Sequence, residues 1–195
     1  MKENVAVTEK CYYVFYKPHG ILSQMITDQR KKKTLREVLD VAEGVQAIGR
    51  LDEDSEGLLL LTNDKVFNHD TLQVKKLEKE YWVQVVGVPT TDDIDQWQQG
   101  VSIQQRGETY LTKPCVVKLL QEPVAVVTRV PHLLKHQQKS SAWLSITLLE
   151  GKNRQVRKMT AALGFPTVRL IRVRFGKILL GNMVPGELRQ IEKPW

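Results

Sequence analysis

Apolar and polar positions fall into short units along the chain. Residues 11–16 (CYYVFY) are aromatic and β-prone, and Lys17-Pro18-His19-Gly20 ends them as a turn. Residues 45–48 and 57–62 predict strands around a polar loop; the second, GLLLLT, is almost wholly apolar. Residues 80–88 alternate as a strand does, and 111–120 and 142–149 predict two more. Residues 168–173 and 187–191 close the chain as strands. Helices are fewer. Residues 34–40 (TLREVLD) open on Thr34 with Glu37 three positions on, a capping box for a short helix. Residues 91–99 begin at a threonine cap and stop at Gly100. Residues 153–163 place Val156, Met159 and Leu163 at helical spacing before Gly164. The basic, proline-containing stretch 122–141 predicts a long loop. Strands dominate and do not alternate regularly with helices. This pattern predicts an α+β fold, a mixed and mostly antiparallel sheet flanked by a few helices, rather than a doubly wound one.

Composition narrows the class. The chain has 195 residues, 42% hydrophobic and 26% charged, enough for one large domain or two small ones. No apolar run approaches the roughly 18 residues of a membrane span, and the N-terminus lacks an apolar signal segment. A cytoplasmic chain without a membrane partner is expected. Cys11 and Cys115 are far apart and form no CxxC pair, so neither a disulfide framework nor a structural zinc is expected. His132 and His136 lack an adjacent acid and read as loop residues rather than metal ligands.

Charge changes the picture more. The net charge is +7 and the pI is near 9.4. Residues 1–100 hold 13 Lys and Arg against 17 Asp and Glu, whereas residues 101–195 hold 16 against 5. Lys152, Arg154, Arg157, Lys158, Arg169, Arg172, Arg174 and Lys177 follow one another without an intervening acid. Val156, Met159, Leu163, Phe165, Leu170 and Ile171 break the run, so it belongs to folded structure rather than to a tail. Such a run can be a solvated face. In a folded, basic chain it favours a polyanion, and nucleic acid above others. Arg30 to Lys33 form a second, short basic loop.

The segment 49–62, GRLDEDSEGLLLLT, sets Asp52, Glu53, Asp54 and Glu56 before the apolar strand. Three readings compete. Asp52, Asp54, Glu56 and Gly57 fall at positions one, three, five and six of a calcium loop, but Asn63 stands where the bidentate glutamate belongs. A solvated acidic turn with capping duties is the bland alternative. The third is a catalytic carboxylate kept ionised by a neighbouring arginine, because an acid in a protein that binds polyanions repels its own substrate unless it works.

The same segment closely resembles the signature of the RsuA family of pseudouridine synthases, and the branch that modifies large-subunit ribosomal RNA is the nearest match. Further motifs occur in family order: Tyr16-Lys17-Pro18-His19-Gly20, then Lys79-Glu80-Tyr81-Trp82-Val83-Gln84-Val85. Gly151-Lys152-Asn153-Arg154-Gln155-Val156-Arg157-Lys158-Met159 follows, continued by Gly164-Phe165-Pro166 and Leu170-Ile171-Arg172. The resemblance spans residues 12–191. It implies the pseudouridine synthase fold with a central RNA-binding cleft, and one catalytic domain over 1–195 without the N-terminal S4-like module of several relatives. It also implies isomerisation of one uridine in 23S ribosomal RNA by a monomer without cofactor or metal. Asp52 takes the position of the essential aspartate, which attacks the ribose C1′ or the uracil ring, or removes the 2′ proton to form a glycal. Arg157 takes that of its ion-pair partner, and Tyr81 that of the tyrosine that stacks on the flipped uracil and assists loss of the C5 proton. Trp82 should face the other side of the strand as packing. Arg50 matches the arginine that fills the gap left by the flipped base. Lys17, Lys152, Arg154, Lys158, Arg172 and Arg174 complete the expected RNA contacts. Asp54 and Glu56 match positions without chemistry. Two other classes remain: a non-catalytic RNA-binding protein on the same fold, and a hydrolase with paired carboxylates that would release free base.

Overall fold

The computed structural model describes residues 9–28, 31–73, 77–121 and 141–195. Its centre is a sheet in the order β13-β1-β5-β11-β6-β10-β9 (Leu188–Ile191, Tyr12–Lys17, Glu56–Thr62, Thr167–Phe175, Lys79–Val86, Ser141–Leu148, Val116–Leu120). β4 (Gln46–Ile48) pairs with β5, and β12 (Ile178–Leu179) with β11. All these pairings are antiparallel except that of β5 with β11, which is parallel and short, joining Ile171 to Glu56 and Arg172 to Gly57. Two antiparallel halves therefore meet at one seam, and the acidic loop enters β5 at that seam. The fold is α+β with a mixed, mostly antiparallel sheet.

The run of leucines in β5 follows from its place. All seven residues of β5 are buried. Leu59 and Leu61 face one core with Phe15, Val83, Leu144, Ile146, Leu170, Trp97 and Met159, and Leu58 and Leu60 face the other with Tyr12, Tyr16, Ile171, Val173 and Phe67. A strand covered on both faces needs apolar residues at successive positions. Trp82 packs on the second core, the face opposite Tyr81, as the strand period requires. At the seam, a Cβ on Gly57 (φ +101°) would sit 2.3 Å from the Arg172 carbonyl oxygen, so only glycine lets β11 come this close.

The first core is closed by α2 (Thr91–Gln99) and α3 (Gln155–Ala162), where Trp97 Nε1 donates to the Met159 carbonyl at 2.9 Å. The hairpin β7–β8 (Ser102–Gln105, Glu108–Leu111) packs beside α3. Expected and observed elements differ in several places. The helix expected at 34–40 is one 3-10 turn, Leu35–Glu37, although Glu37 accepts from the Thr34 N–H at 2.9 Å as a capping box requires. The strand expected at 111–120 is two strands, because Lys113-Pro114 interrupts it. Helix α1 (Lys65–Gln73) has no counterpart in the sequence pattern: only Phe67 and Thr71 are buried on it, too few for a readable stripe. The short pair β2 (Ile21–Leu22) and β3 (Lys33–Thr34) also carries no pattern. The loop expected at 122–141, with His132 and His136, lies outside the described residues up to position 140, as does Arg30.

Candidate active site

The loop before β5 is pinned from two sides. Ser23 Oγ donates to the Leu51 carbonyl at 2.7 Å and accepts from the Leu51 N–H at 3.0 Å. The Gly20 N–H donates to the Glu53 carbonyl at 2.8 Å, and the Ser55 N–H closes a turn on the Asp52 carbonyl at 3.0 Å. Beneath the loop, the fully buried Lys17 donates its ammonium to the carbonyls of Ile21 (2.7 Å), Pro18 (3.0 Å) and Glu53 (3.3 Å). On the other side, Arg154 grips Asp54 with two bonds of 3.0 and 2.9 Å. Arg157 Nη2 donates to the Asp54 carbonyl at 2.8 Å, and its Nε lies 3.4 Å from Asp54 Oδ2. Burial pushes the Asp54 carboxyl up, but the Arg154 hydrogen bonds and the Arg157 charge outweigh it and hold the group below its ordinary range.

The result is a cleft of about 650 Å³ along the seam, within the size range of ligand sites. Asp52, Arg50 and Glu53 line it from the loop, Tyr81 and Lys79 from β6, Arg172 from β11, and Lys152 and Arg154 from the segment before α3. Asp52 is one-third exposed, with Arg154 Nη1 3.6 Å from its Oδ2. Arg154 reaches it from a left-handed conformation (φ 51°) at the start of α3. Such a conformation costs a non-glycine residue about 1–3 kcal/mol and concentrates at functional sites. The resemblance pairs Arg157 with Asp52; Arg157 also reaches Asp54, and Arg154 approaches Asp52. Arg50 and Lys152 are exposed on the rim. Lys158 is half-buried and donates to Gln105 Oε1 at 2.7 Å, tying α3 to the β7–β8 hairpin.

Two expected phosphate contacts are corrected, and a third lies away from the cleft. Lys17 is 0% exposed and Arg172 is 3% exposed, so neither offers a surface to RNA. Arg174 sits on the opposite face of the sheet beside a separate hollow of about 240 Å³ with Trp82, and it pairs with Glu78 (2.9 Å) and Glu80 (3.1 Å). Charge along the chain does not show which side of β11 each arginine takes. The calcium alternative fails on the same geometry: Asp54 is held by arginines, and Glu56 is buried against Arg169. No cluster of three acids, histidines or cysteines suited to a metal occurs among the described residues. Sequence reasoning missed Ser23 and Glu150. Glu150 accepts from the Tyr110 hydroxyl (2.6 Å), the Lys113 N–H (3.0 Å) and Gln155 Nε2 (2.6 Å), and so anchors the start of α3. Its position directly before Gly151-Lys152-Asn153-Arg154 was the available signal.

Burial pushes the Lys17 ammonium down to about 8, against the upward pull of nearby carboxylates. Between about pH 8 and 10.5 the folded chain has shed a proton that unfolded lysine keeps, so this group's contribution to stability rises with pH there. The stability of the native chain relative to Lys17→Met, measured by denaturant titration, should increase from pH 7.5 to pH 10. An unchanged difference would show an ordinary lysine.

A mixed α+β sheet whose two halves meet under a cleft lined by Asp52, Arg154 and Tyr81 is shared with a class of RNA-modifying isomerases. The family model "RNA pseudouridylate synthase" matches residues 11–162, and the chain belongs to that family. It is 41% identical over 99% of its length, and 80% of the relative's, to "Ribosomal large subunit pseudouridine synthase E" of Vibrio vulnificus (strain CMCP6). It is 40% identical to the protein of that name in Xanthomonas axonopodis pv. citri (strain 306), over 87% of each chain. A solved structure, "Crystal structure of pseudouridylate synthase", aligns with a TM-score of 0.75 at 28% identity, covering 94% of this chain and 70% of that one. Within the family, these likenesses place the chain in the RluE-type branch of the RsuA group.

Proposed function

We propose that this chain converts one uridine of large-subunit ribosomal RNA to pseudouridine, with Asp52 as the reacting carboxylate. The observation that carries the assignment is the convergence of Asp52 and Tyr81 on one cleft with a basic rim. The N1–C1′ bond breaks, the uracil turns, and a C5–C1′ bond forms. The Asp52 carboxylate supplies the negative oxygen on which departure of the base from C1′ depends. The Tyr81 ring forms a face for the displaced uracil, and its oxygen takes the C5 proton in the last step. Arg50, exposed at the cleft mouth, occupies the stack vacated by the base, which offsets part of the few kcal/mol that flipping costs. Arg154 and Arg157 act by fixing the loop through Asp54. Every group named comes from one chain, so the proposed chemistry calls on no residue of a second copy. An isomerisation needs no outside electron acceptor or activated donor, which supports a reaction without cofactor, carried out in the cytoplasm where the RNA is made. Mapping pseudouridine in ribosomal RNA from cells with and without the gene tests the assignment: one site should vanish. Release of free uracil by the purified protein would instead point to hydrolysis.

RNA affinity should fall steeply with ionic strength. Lys152→Gln should flatten the slope of log K against log salt by about 0.7–0.9, the share of one phosphate contact, whereas Arg174→Gln should leave it unchanged. The reverse result would move the binding face to the other side of the sheet.

A further inference from the structure

Arg172 and Tyr81 are directly opposite each other on β11 and β6, and both line the cleft. Cross-strand partners on one face are within side-chain reach. The Arg172 guanidinium is held from behind: Nε donates to the Leu58 carbonyl at 2.7 Å, and its Cζ lies 5.2 Å from the centre of the Phe175 ring. Its Nη2 has no hydrogen-bond partner among the described residues. The neighbouring arginines of β11 each have a carboxylate, Glu56 for Arg169 and Glu78 with Glu80 for Arg174; among the described residues no ion pair satisfies Arg172. A buried cation without an acid is costly, and an apolar side chain of similar shape would pack there at less cost. Burial lowers the Arg172 pKa, and the group that pulls it back up is Tyr81.

The other charged groups facing this floor are engaged elsewhere. On β6, the Lys79 ammonium donates to the Leu77 carbonyl at 3.1 Å, and burial and the Arg172 charge both push it down. Asp52 has Arg154, Glu53 has Lys32, and Glu150 has Tyr110 and Gln155. Lys152 and Arg50 stand at the exposed rim.

A role for Arg172 rests on the assignment of Tyr81 as the base for the C5 proton, and that assignment carries a requirement. A phenol must be ionised before it can take a proton from carbon. In that step the C5–H bond breaks and the proton goes to the phenolate oxygen. The C–H electron pair closes the C5=C6 bond, the C6=N1 pair passes to N1, and N1 takes a proton from water. We propose that Arg172 is the positioning residue for this step, a fixed counter-cation that holds the Tyr81 phenolate toward C5 of the isomerised base.

The test is single turnover on a short RNA whose target uridine carries deuterium at C5, comparing the native chain with Arg172→Met, Arg172→Lys, Tyr81→Phe and the Tyr81→Phe/Arg172→Met double variant. Arg172→Met should consume uridine but form pseudouridine about 10²-fold more slowly, accumulate a C5-linked intermediate and show a primary isotope effect. Arg172→Lys should recover about tenfold of that loss. The double variant should be no slower than Tyr81→Phe, since the two residues act as one unit. A native rate without an isotope effect in Arg172→Met, or losses that multiply in the double variant, would overturn the proposal. Where Arg172→Met does not fold, a native rate in folded Arg172→Lys overturns it equally. Full activity in Tyr81→Phe would sink the assignment of Tyr81 itself, and the proposal with it. A slow Tyr81→Phe beside a fast Arg172→Met would remove Arg172 alone.

Discussion

Asp52→Asn should abolish pseudouridine formation while leaving a folded chain that still binds RNA. The substitution keeps the size of the side chain and removes its charge and nucleophilicity. Folding should survive because Asp52 is one-third exposed and Arg154, 3.6 Å from it, gives its two short bonds to Asp54. RNA affinity should hold or improve, since one negative charge has left the cleft. The neighbours in the loop provide the contrast. The Glu53 side chain pairs with Lys32, and its carbonyl accepts from Lys17 and Gly20 beneath the loop, so Glu53→Gln should keep near-native turnover. Asp54→Asn should fall between, by about tenfold, because it loosens the double bond from Arg154 and the Arg157 contact that fix the loop. Turnover is read by pseudouridine mapping of a target RNA at fixed enzyme concentration. Measurable turnover by Asp52→Asn, after checking for deamidation back to aspartate, would remove Asp52 from the chemistry. Equal losses in all three variants would reduce the loop to an electrostatic role.

The intermediate place of Asp54 could not be reached from the sequence. The place of the Asp52 loop was legible because the loop and the strand it enters are contiguous, and the strand's burial on both faces writes itself as four leucines in a row. Tyr81 and Trp82 were legible because a strand separates neighbours onto opposite faces, and each falls on its expected side. The basic run after Lys152 misleads at Arg172 and Arg174 for the same reason in reverse. One arginine faces the cleft floor and the other the back of the sheet, and an irregularity of pairing between them shifts the register. Their partners, Tyr81, Glu80 and Glu78, lie more than ninety positions away along the chain, so nothing local announces that one of these charges is buried and the other paired on the far face. Lys17 carries the same lesson. A lysine before Pro18 reads as a surface turn, but the carbonyls of Pro18, Ile21 and Glu53 converge on it and draw the ammonium inward. Asp54, on sequence a position without chemistry, proves to be the anchor of both arginines from α3 and its cap.

Glu56→Gln should unfold the chain more readily than any other conservative change in the acidic loop. Glu56 opens β5 at the seam, 2% exposed, and receives both Nε and Nη2 of Arg169 at 2.8 Å, a two-bond pair between side chains that are 3% and 5% exposed. The amide can accept one of those bonds, but it leaves the guanidinium charge without a counter-charge in the interior. Breaking a buried pair from one side in this way costs about 3–5 kcal/mol, whereas replacing both partners with apolar residues is often neutral. Against a total stability of about 5–15 kcal/mol for a domain, that loss is a large fraction. The damage should be centred on the junction of the half-sheets, because β5 and β11 share only the pairs Ile171–Glu56 and Arg172–Gly57. Denaturant titration should show a lower midpoint, and hydrogen exchange should show β5 and β11 losing protection ahead of the β6–β10 pair. Glu56→Leu with Arg169→Leu should recover much of the loss, since no buried charge is then left alone. If Glu56→Gln instead kept the native midpoint, the pair would have no stabilising role, and the seam would be held by the close approach at Gly57 and the apolar faces of β5.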